Sequence, residues 1–152
     1  MTANKPVETD AIRTTLIAPC GMNCRLCRAY IRKKNACPGC RGDDRFKPKT
    51  RALCYIKNCK KRTSGRAGYC FKCDSFPCTR LRRLDERYRS KYGMSMIENL
   101  TEVKRFGIRS FMRNEEKKWT CPGCGGLLCV HEPMCLTCHY KWREASTGPG
   151  QV

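Results

Sequence analysis

The side chains with the clearest chemistry are the cysteines, 15 in a chain of 152 residues. Five pairs of them stand at CxxC spacing: Cys24/Cys27, Cys37/Cys40, Cys70/Cys73, Cys121/Cys124 and Cys135/Cys138. A CxxC pair carries two thiolates on one tight turn, so both can reach a tetrahedral metal at about 2.3 Å, and a second pair closes the shell. Disulfides are the competing use of so many cysteines. Against them, 15 is odd, the N-terminal MTANKPVETDAIRTT lacks the apolar stretch of a secretory signal, and disulfide frameworks have no need of CxxC spacing. The expectation is metal–thiolate centres in a reducing, cytoplasmic setting, with no membrane segment.

The cysteines fall into three blocks of five: Cys20, Cys24, Cys27, Cys37 and Cys40; Cys54, Cys59, Cys70, Cys73 and Cys78; and Cys121, Cys124, Cys129, Cys135 and Cys138. All but Cys129 are candidate ligands. One partition groups Cys24, Cys27, Cys37 and Cys40, then Cys54, Cys59, Cys70 and Cys73, then Cys121, Cys124, Cys135 and Cys138. Another joins Cys20, Cys24 and Cys27 to Cys78 and crosses Cys37 and Cys40 over to Cys54 and Cys59. Spacing does not choose between them. Zinc is the expected metal and a [4Fe–4S] cluster the alternative, because four-cysteine sites serve both.

Other chemistries have weaker support. Cys20, Cys24 and Cys27 form the CxxxCxxC of radical S-adenosylmethionine enzymes, but no alternation of strands and helices follows that could build their barrel. The two Cys-Pro-Gly-Cys turns, at Cys37 and Cys121, lack the βαβ context of dithiol redox centres. His131 and His139, the two histidines, are not needed where four cysteines already complete a shell. HExxH, GxxxxGK[ST] and GxGxxG are absent, so hydrolase and nucleotide-binding readings have no residue to stand on.

The formal net charge is +19. A zinc held by four thiolates carries about −2, so three such centres leave about +13, still strongly basic. Arg80, Arg82, Arg83 and Arg87 on one expected helix, with Lys60, Lys61 and Arg62 on one loop, are the candidate nucleic-acid contacts. Tyr55 and Tyr69 nearby are candidate stacking groups. An acidic protein is the other partner this charge suits. Oligomeric state is not legible.

These groups must be positioned by little conventional core. The apolar share is 40%, and setting the cysteines aside leaves about 46 side chains, thin for a single core without metal to supplement it. Residues 1–11 read as a flexible lead. Arg13 to Pro19 suggests a short strand delivering Cys20, and Cys24 to Lys34 a helix. The cysteine-rich part, 12–78, gives way to a helical segment, 79–118. There Leu81, Leu84, Tyr88 and Tyr92 mark one face and Gly93 a stop. Ser95-Met96-Ile97-Glu98 is a capping box opening a second helix with Ile97, Leu100, Val103 and Lys104 in register and Gly107 as its end. A third helix starts at Ile108. The last block, 119–143 (WTCPGCGGLLCVHEPMCLTCHYKW and one residue more), has the arrangement of a two-knuckle zinc ribbon, and 144–152 reads as a disordered tail. The expected fold is α+β: small metal-stapled, zinc-ribbon-like modules joined by a short helical segment.

The runs APCGMNCRLCRAY, CPGC, YCFKCDSFPC, RYRSKYGMSMIENL and KKWTCPGCGGLLCVH together resemble a prokaryotic cysteine-rich family, domain of unknown function 3795, from about Ala18 to Tyr140. The resemblance implies metal binding by the cysteines already named and carries no activity. The resulting expectation is a zinc-binding, non-enzymatic interaction module. The alternative is an iron–sulfur or thiol-based protein handling electrons or sulfur.

Overall fold

The computed structural model describes residues 14–60 and 68–144. The lead over 1–11 and the tail beyond Glu144 lie outside them, as do Lys61 and Arg62. Among the described residues the fold is helical: α1 (Arg28–Ile31), α2 (Lys49–Ala52), α3 (Thr79–Tyr92), α4 (Met96–Phe106) and α5 (Ile108–Lys118), with short 3-10 turns between.

The expected α+β class is therefore wrong, and with it the zinc ribbon. No strand forms among the described residues, only three isolated antiparallel bridges, Ile17 to Asn23, Thr120 to Leu127 and Met134 to Lys141. The reasons are local. Thr14–Leu16 winds into a 3-10 turn, and the chain then doubles back, the Ala18 amide donating to the Met22 carbonyl at 2.8 Å. In the last block, Leu128 still donates to the Trp119 carbonyl, but the Val130 amide leaves for the Leu26 carbonyl at 2.9 Å. The apolar LLCV run thus ties two cysteine blocks together instead of pairing along a hairpin. The helix expected over Cys24 to Lys34 is also broken. Cys27 is extended (φ −80°, ψ 133°) between a 3-10 turn, Cys24–Leu26, and α1.

The three longer helices form where periodicity placed them. On α3 Leu81 and Tyr88 are buried, and Gly93 closes it in the left-handed conformation at φ 67°. Ser95 caps α4 by accepting from the Glu98 amide at 3.0 Å, and Gly107 ends it. The sequence pattern did not anticipate Asp85. This buried α3 carboxylate accepts from the Ser95 hydroxyl at 2.6 Å and the Ile97 amide at 3.0 Å, and pairs with Arg89 at 2.9 Å. It fixes the start of α4 on the flank of α3, where a negative charge also meets the positive helix end.

One hydrophobic cluster runs through Leu16, Leu26, Leu81, Met96, Leu100, Trp119, Leu128 and Val130, and a smaller one joins Ile17, Val103 and Phe111. The first cysteine loop is docked on α4. At Gly21 (φ 94°) an added Cβ would stand 2.6 Å from the Met96 carbonyl oxygen, and Asn99 donates to the Gly21 carbonyl at 2.9 Å. Asn23 reaches across to buried Glu115 on α5 at 3.2 Å, and burial raises the pKa of that carboxyl.

Candidate metal centre

The last block builds a site from two copies of one local device. Residues 121–126 and 135–140 repeat each other at an offset of 14. In the first, the Gly123 amide donates to the Cys121 sulfur at 3.2 Å, Gly125 donates to the Cys121 carbonyl, and Cys121 donates to the Gly126 carbonyl. In the second, Thr137 donates to the Cys135 sulfur at 3.4 Å, His139 to the Cys135 carbonyl, and Cys135 to the Tyr140 carbonyl. Both knuckles close through a left-handed residue, Gly125 at φ 80° and His139 at φ 66°. Amide donors aimed at sulfur stabilise a thiolate and fix its direction.

The two knuckles face each other. All four sulfurs of Cys121, Cys124, Cys135 and Cys138 lie within 4.8 Å of one another. Cys121 and Cys138 are 3.6 Å apart, and Cys124 and Cys135 are 3.7 Å apart. Four sulfurs at about 2.3 Å from one ion stand about 3.8 Å apart at the corners of a tetrahedron. A disulfide needs about 2.05 Å, and all 15 cysteines are free thiols. The cluster could therefore hold one metal ion. Hydrogen bonds from the Cys138 and Thr137 amides and from neighbouring thiols bring Cys135 down to about 6.

The ten N-terminal cysteines interleave. Cys24 and Cys40 are in contact, the Cys40 amide donating to the Cys24 sulfur at 3.4 Å. The Cys24 thiol, helped by Lys47, Arg51 and Lys57, brings Cys40 down to about 7, and Cys24 is correspondingly raised. Cys20 is raised by burial and by the proximity of Cys40, with Cys70 and Cys54 next in influence. Cys27, raised chiefly by burial, neighbours Cys37. Cys59, Cys70, Cys73 and Cys78 line one small cavity beside the start of α3. Cys129 is wholly buried in the core. Among the described residues no other group of three potential ligands packs as closely as the C-terminal four.

Both ring nitrogens of His131 are engaged. Nδ1 accepts from the Arg28 amide at 3.2 Å, which leaves the proton of the neutral ring on Nε2, 2.8 Å from the Tyr88 hydroxyl. Burial first, then Arg51, Arg28 and Arg143, holds this histidine down at about 4.

The basic candidates separate. Arg80, Arg83 and Arg87 project from one side of α3 and line a groove of about 800 Å³ with Arg51. No carboxylate lines it among the described residues, and Cys20, Cys40 and Cys54 reach its wall. Arg82 and Lys60 line an adjoining groove instead. Tyr55 is 74% exposed, with the Arg80 guanidinium 5.2 Å from its ring centre. Tyr69 is not available for stacking, because Phe71 lies against it and Arg41 sits 4.7 Å from its ring centre. No described helix is long and apolar enough to cross a membrane.

Residues 16–83 match the family model described as protein of unknown function, DUF3795. The matched segment contains all ten N-terminal cysteines and ends at Arg83, short of Tyr140 and of the four-cysteine cluster. DUF3795 assigns no activity to that segment. No curated protein and no solved structure matches the chain.

Proposed function

We propose that this chain is a non-enzymatic zinc-binding protein whose C-terminal centre is structural and whose arginine-lined groove binds nucleic acid. The sulfur spacing of the C-terminal knuckles, at 3.6 and 3.7 Å, carries the first half. Four thiolates leave no open position for substrate or water, which is the arrangement of structural rather than catalytic zinc. Thiolate ligands suit zinc, and the amides aimed at Cys121 and Cys135 need no redox partner to be useful.

For the groove, support comes from four guanidinium groups with no opposing carboxylate and from the exposed Tyr55 ring beside them. That combination suits a single strand, with phosphates on arginine and a base on tyrosine. If Arg51, Arg80, Arg83 and Arg87 each neutralise one phosphate, log K falls by about 2.8 per tenfold rise in salt. Between 50 and 200 mM salt the loss is roughly 50-fold. Fluorescence anisotropy with a labelled oligonucleotide measures it, and R83A/R87A should halve the slope. A flat salt profile, or a slope indifferent to that variant, sinks the nucleic-acid reading; binding of polyglutamate but not of oligonucleotide would assign an acidic protein partner.

A second reading, an iron–sulfur or thiol-based protein handling electrons or sulfur, is favoured by one observation. Cys20, Cys40 and Cys54 lie along the same arginine groove, where an anionic reactant would meet sulfur. Iron and acid-labile sulfide in anaerobically purified protein would support it.

A further inference from the structure

Arg51 lines two cavities at once. One is the arginine groove; the other is an open pocket of about 270 Å³ that Arg51 shares with Arg28, Arg32, Tyr92 and His131. The smaller cavity therefore continues the positive surface of the larger one.

The groups that hold these arginines in place are mostly uncharged. Arg51 donates to the Tyr88 hydroxyl, which also contacts His131 Nε2 at 2.8 Å, and the Arg28 amide anchors the other face of that imidazole. Arg32 donates from Nε to the Asn35 carbonyl at 3.0 Å, a bond that does not use its terminal nitrogens. The Tyr92 ring stands edge-on to His131, their centres 4.8 Å apart, and the Arg143 guanidinium lies 5.5 Å from the Tyr92 ring centre. Among the described residues Glu132, paired with Arg28, is the one carboxylate bonded to Arg28, Arg32 or Arg51. Three guanidiniums against that carboxylate leave a surplus of about two positive charges, before Arg143 is counted.

The planar guanidinium fork matches phosphate oxygens two at a time. A diester inside a strand carries one negative charge, whereas a phosphate monoester carries about −1.5 to −2 at neutral pH on three acceptor oxygens, which fits both the surplus and the donors. The volume lies below the range of about 300–1,000 Å³ that encloses a whole small molecule, and suits one charged group.

We infer that the pocket formed by Arg28, Arg32 and Arg51 binds a phosphate monoester. Two sources carry that group: the end of a strand lying in the groove, which rests on the nucleic-acid reading above, and a small phosphorylated molecule, which does not.

The test titrates the intact protein with methyl phosphate at constant ionic strength and follows the ring protons of the two histidines by NMR. His131 should shift saturably and His139, on the knuckle, should not; dimethyl phosphate, a diester, should leave both in place. R32Q, at an exposed position, should weaken methyl phosphate binding about tenfold. No response at His131, an equal response to the diester, or an affinity that R32Q leaves unchanged overturns the inference. Anisotropy with one oligonucleotide sequence bearing a 5′-phosphate, a 3′-phosphate or neither then assigns the source. A strand end predicts that one phosphorylated form binds about tenfold tighter than the bare strand, and that R32Q removes the difference. Equal affinities assign a small phosphorylated molecule. Failure of every oligonucleotide to bind, with the His131 response intact, refutes the reading of the groove and leaves the pocket standing.

Discussion

Replacing Gly125 by alanine and His139 by glycine perturbs the two knuckles at equivalent positions and should move metal affinity in opposite directions. Gly125 is left-handed at φ 80°, and a Cβ there meets nothing within 4 Å, so the cost of alanine lies in the backbone alone. A left-handed L-residue costs about 1–2 kcal/mol. The lower entropy of the unfolded chain returns about 0.4–1 kcal/mol. The balance is about 1 kcal/mol, and because the knuckle closes as metal binds, G125A should bind zinc about fivefold more weakly. His139 already carries that strain at φ 66° and is exposed, so H139G should tighten binding by a similar factor. Competition with a chromophoric zinc chelator under reducing conditions reads both. If H139G weakens binding as G125A does, or neither variant moves it, the knuckles do not close around the ion in the way described.

Two other expectations concern the scaffold and the site. D85A removes contacts to Ser95, Ile97 and Arg89 together, and should destabilise the protein by about 2–4 kcal/mol in urea unfolding at fixed zinc; a change below about 0.5 kcal/mol would mean Asp85 does not anchor α4. His131 sits at about 4 in the fold against an ordinary value near 6.5, so the unfolded chain binds the extra proton first as pH falls. Its contribution is therefore complete above about pH 6.5 and is lost towards pH 4, by up to about 2 kcal/mol given its partial exposure. Stability of the wild type minus that of H131Q should fall across that window, whereas a constant difference would remove His131 from the account.

How much of this could be read from sequence differs by element. Periodicity located α3, α4 and α5, because each buries one apolar stripe and is bounded on one side by a glycine, Gly93 after α3 and Gly107 between α4 and α5. It could not find the fate of the LLCV run, whose Val130 amide bonds to Leu26 more than 100 residues away in sequence. The strands failed for that reason: alternation tells which residues suit an extended backbone, not whether a partner stays alongside. The C-terminal cluster of four cysteines was legible because both CxxC pairs sit on local turns. The 14-residue repeat behind them was also present, as CxxC followed by a residue that turns left-handed, but histidine at 139 disguised it. The N-terminal cysteines resisted because CxxC spacing predicts a shared turn and not a shared partner. Cys24 lies against Cys40 while Cys27 neighbours Cys37. Arg51 joined the arginine groove through tertiary packing, with no local signal to announce it.

The most direct test of the central claim is the metal content of protein purified without oxygen and without added metal, compared with C124S/C138S. Elemental analysis with acid-labile sulfide and a visible spectrum should show colourless protein holding zinc, with one equivalent fewer per chain in the variant. Iron with matching sulfide and a brown colour, or a metal content that the variant leaves unchanged, would contradict a structural zinc centre at Cys121, Cys124, Cys135 and Cys138.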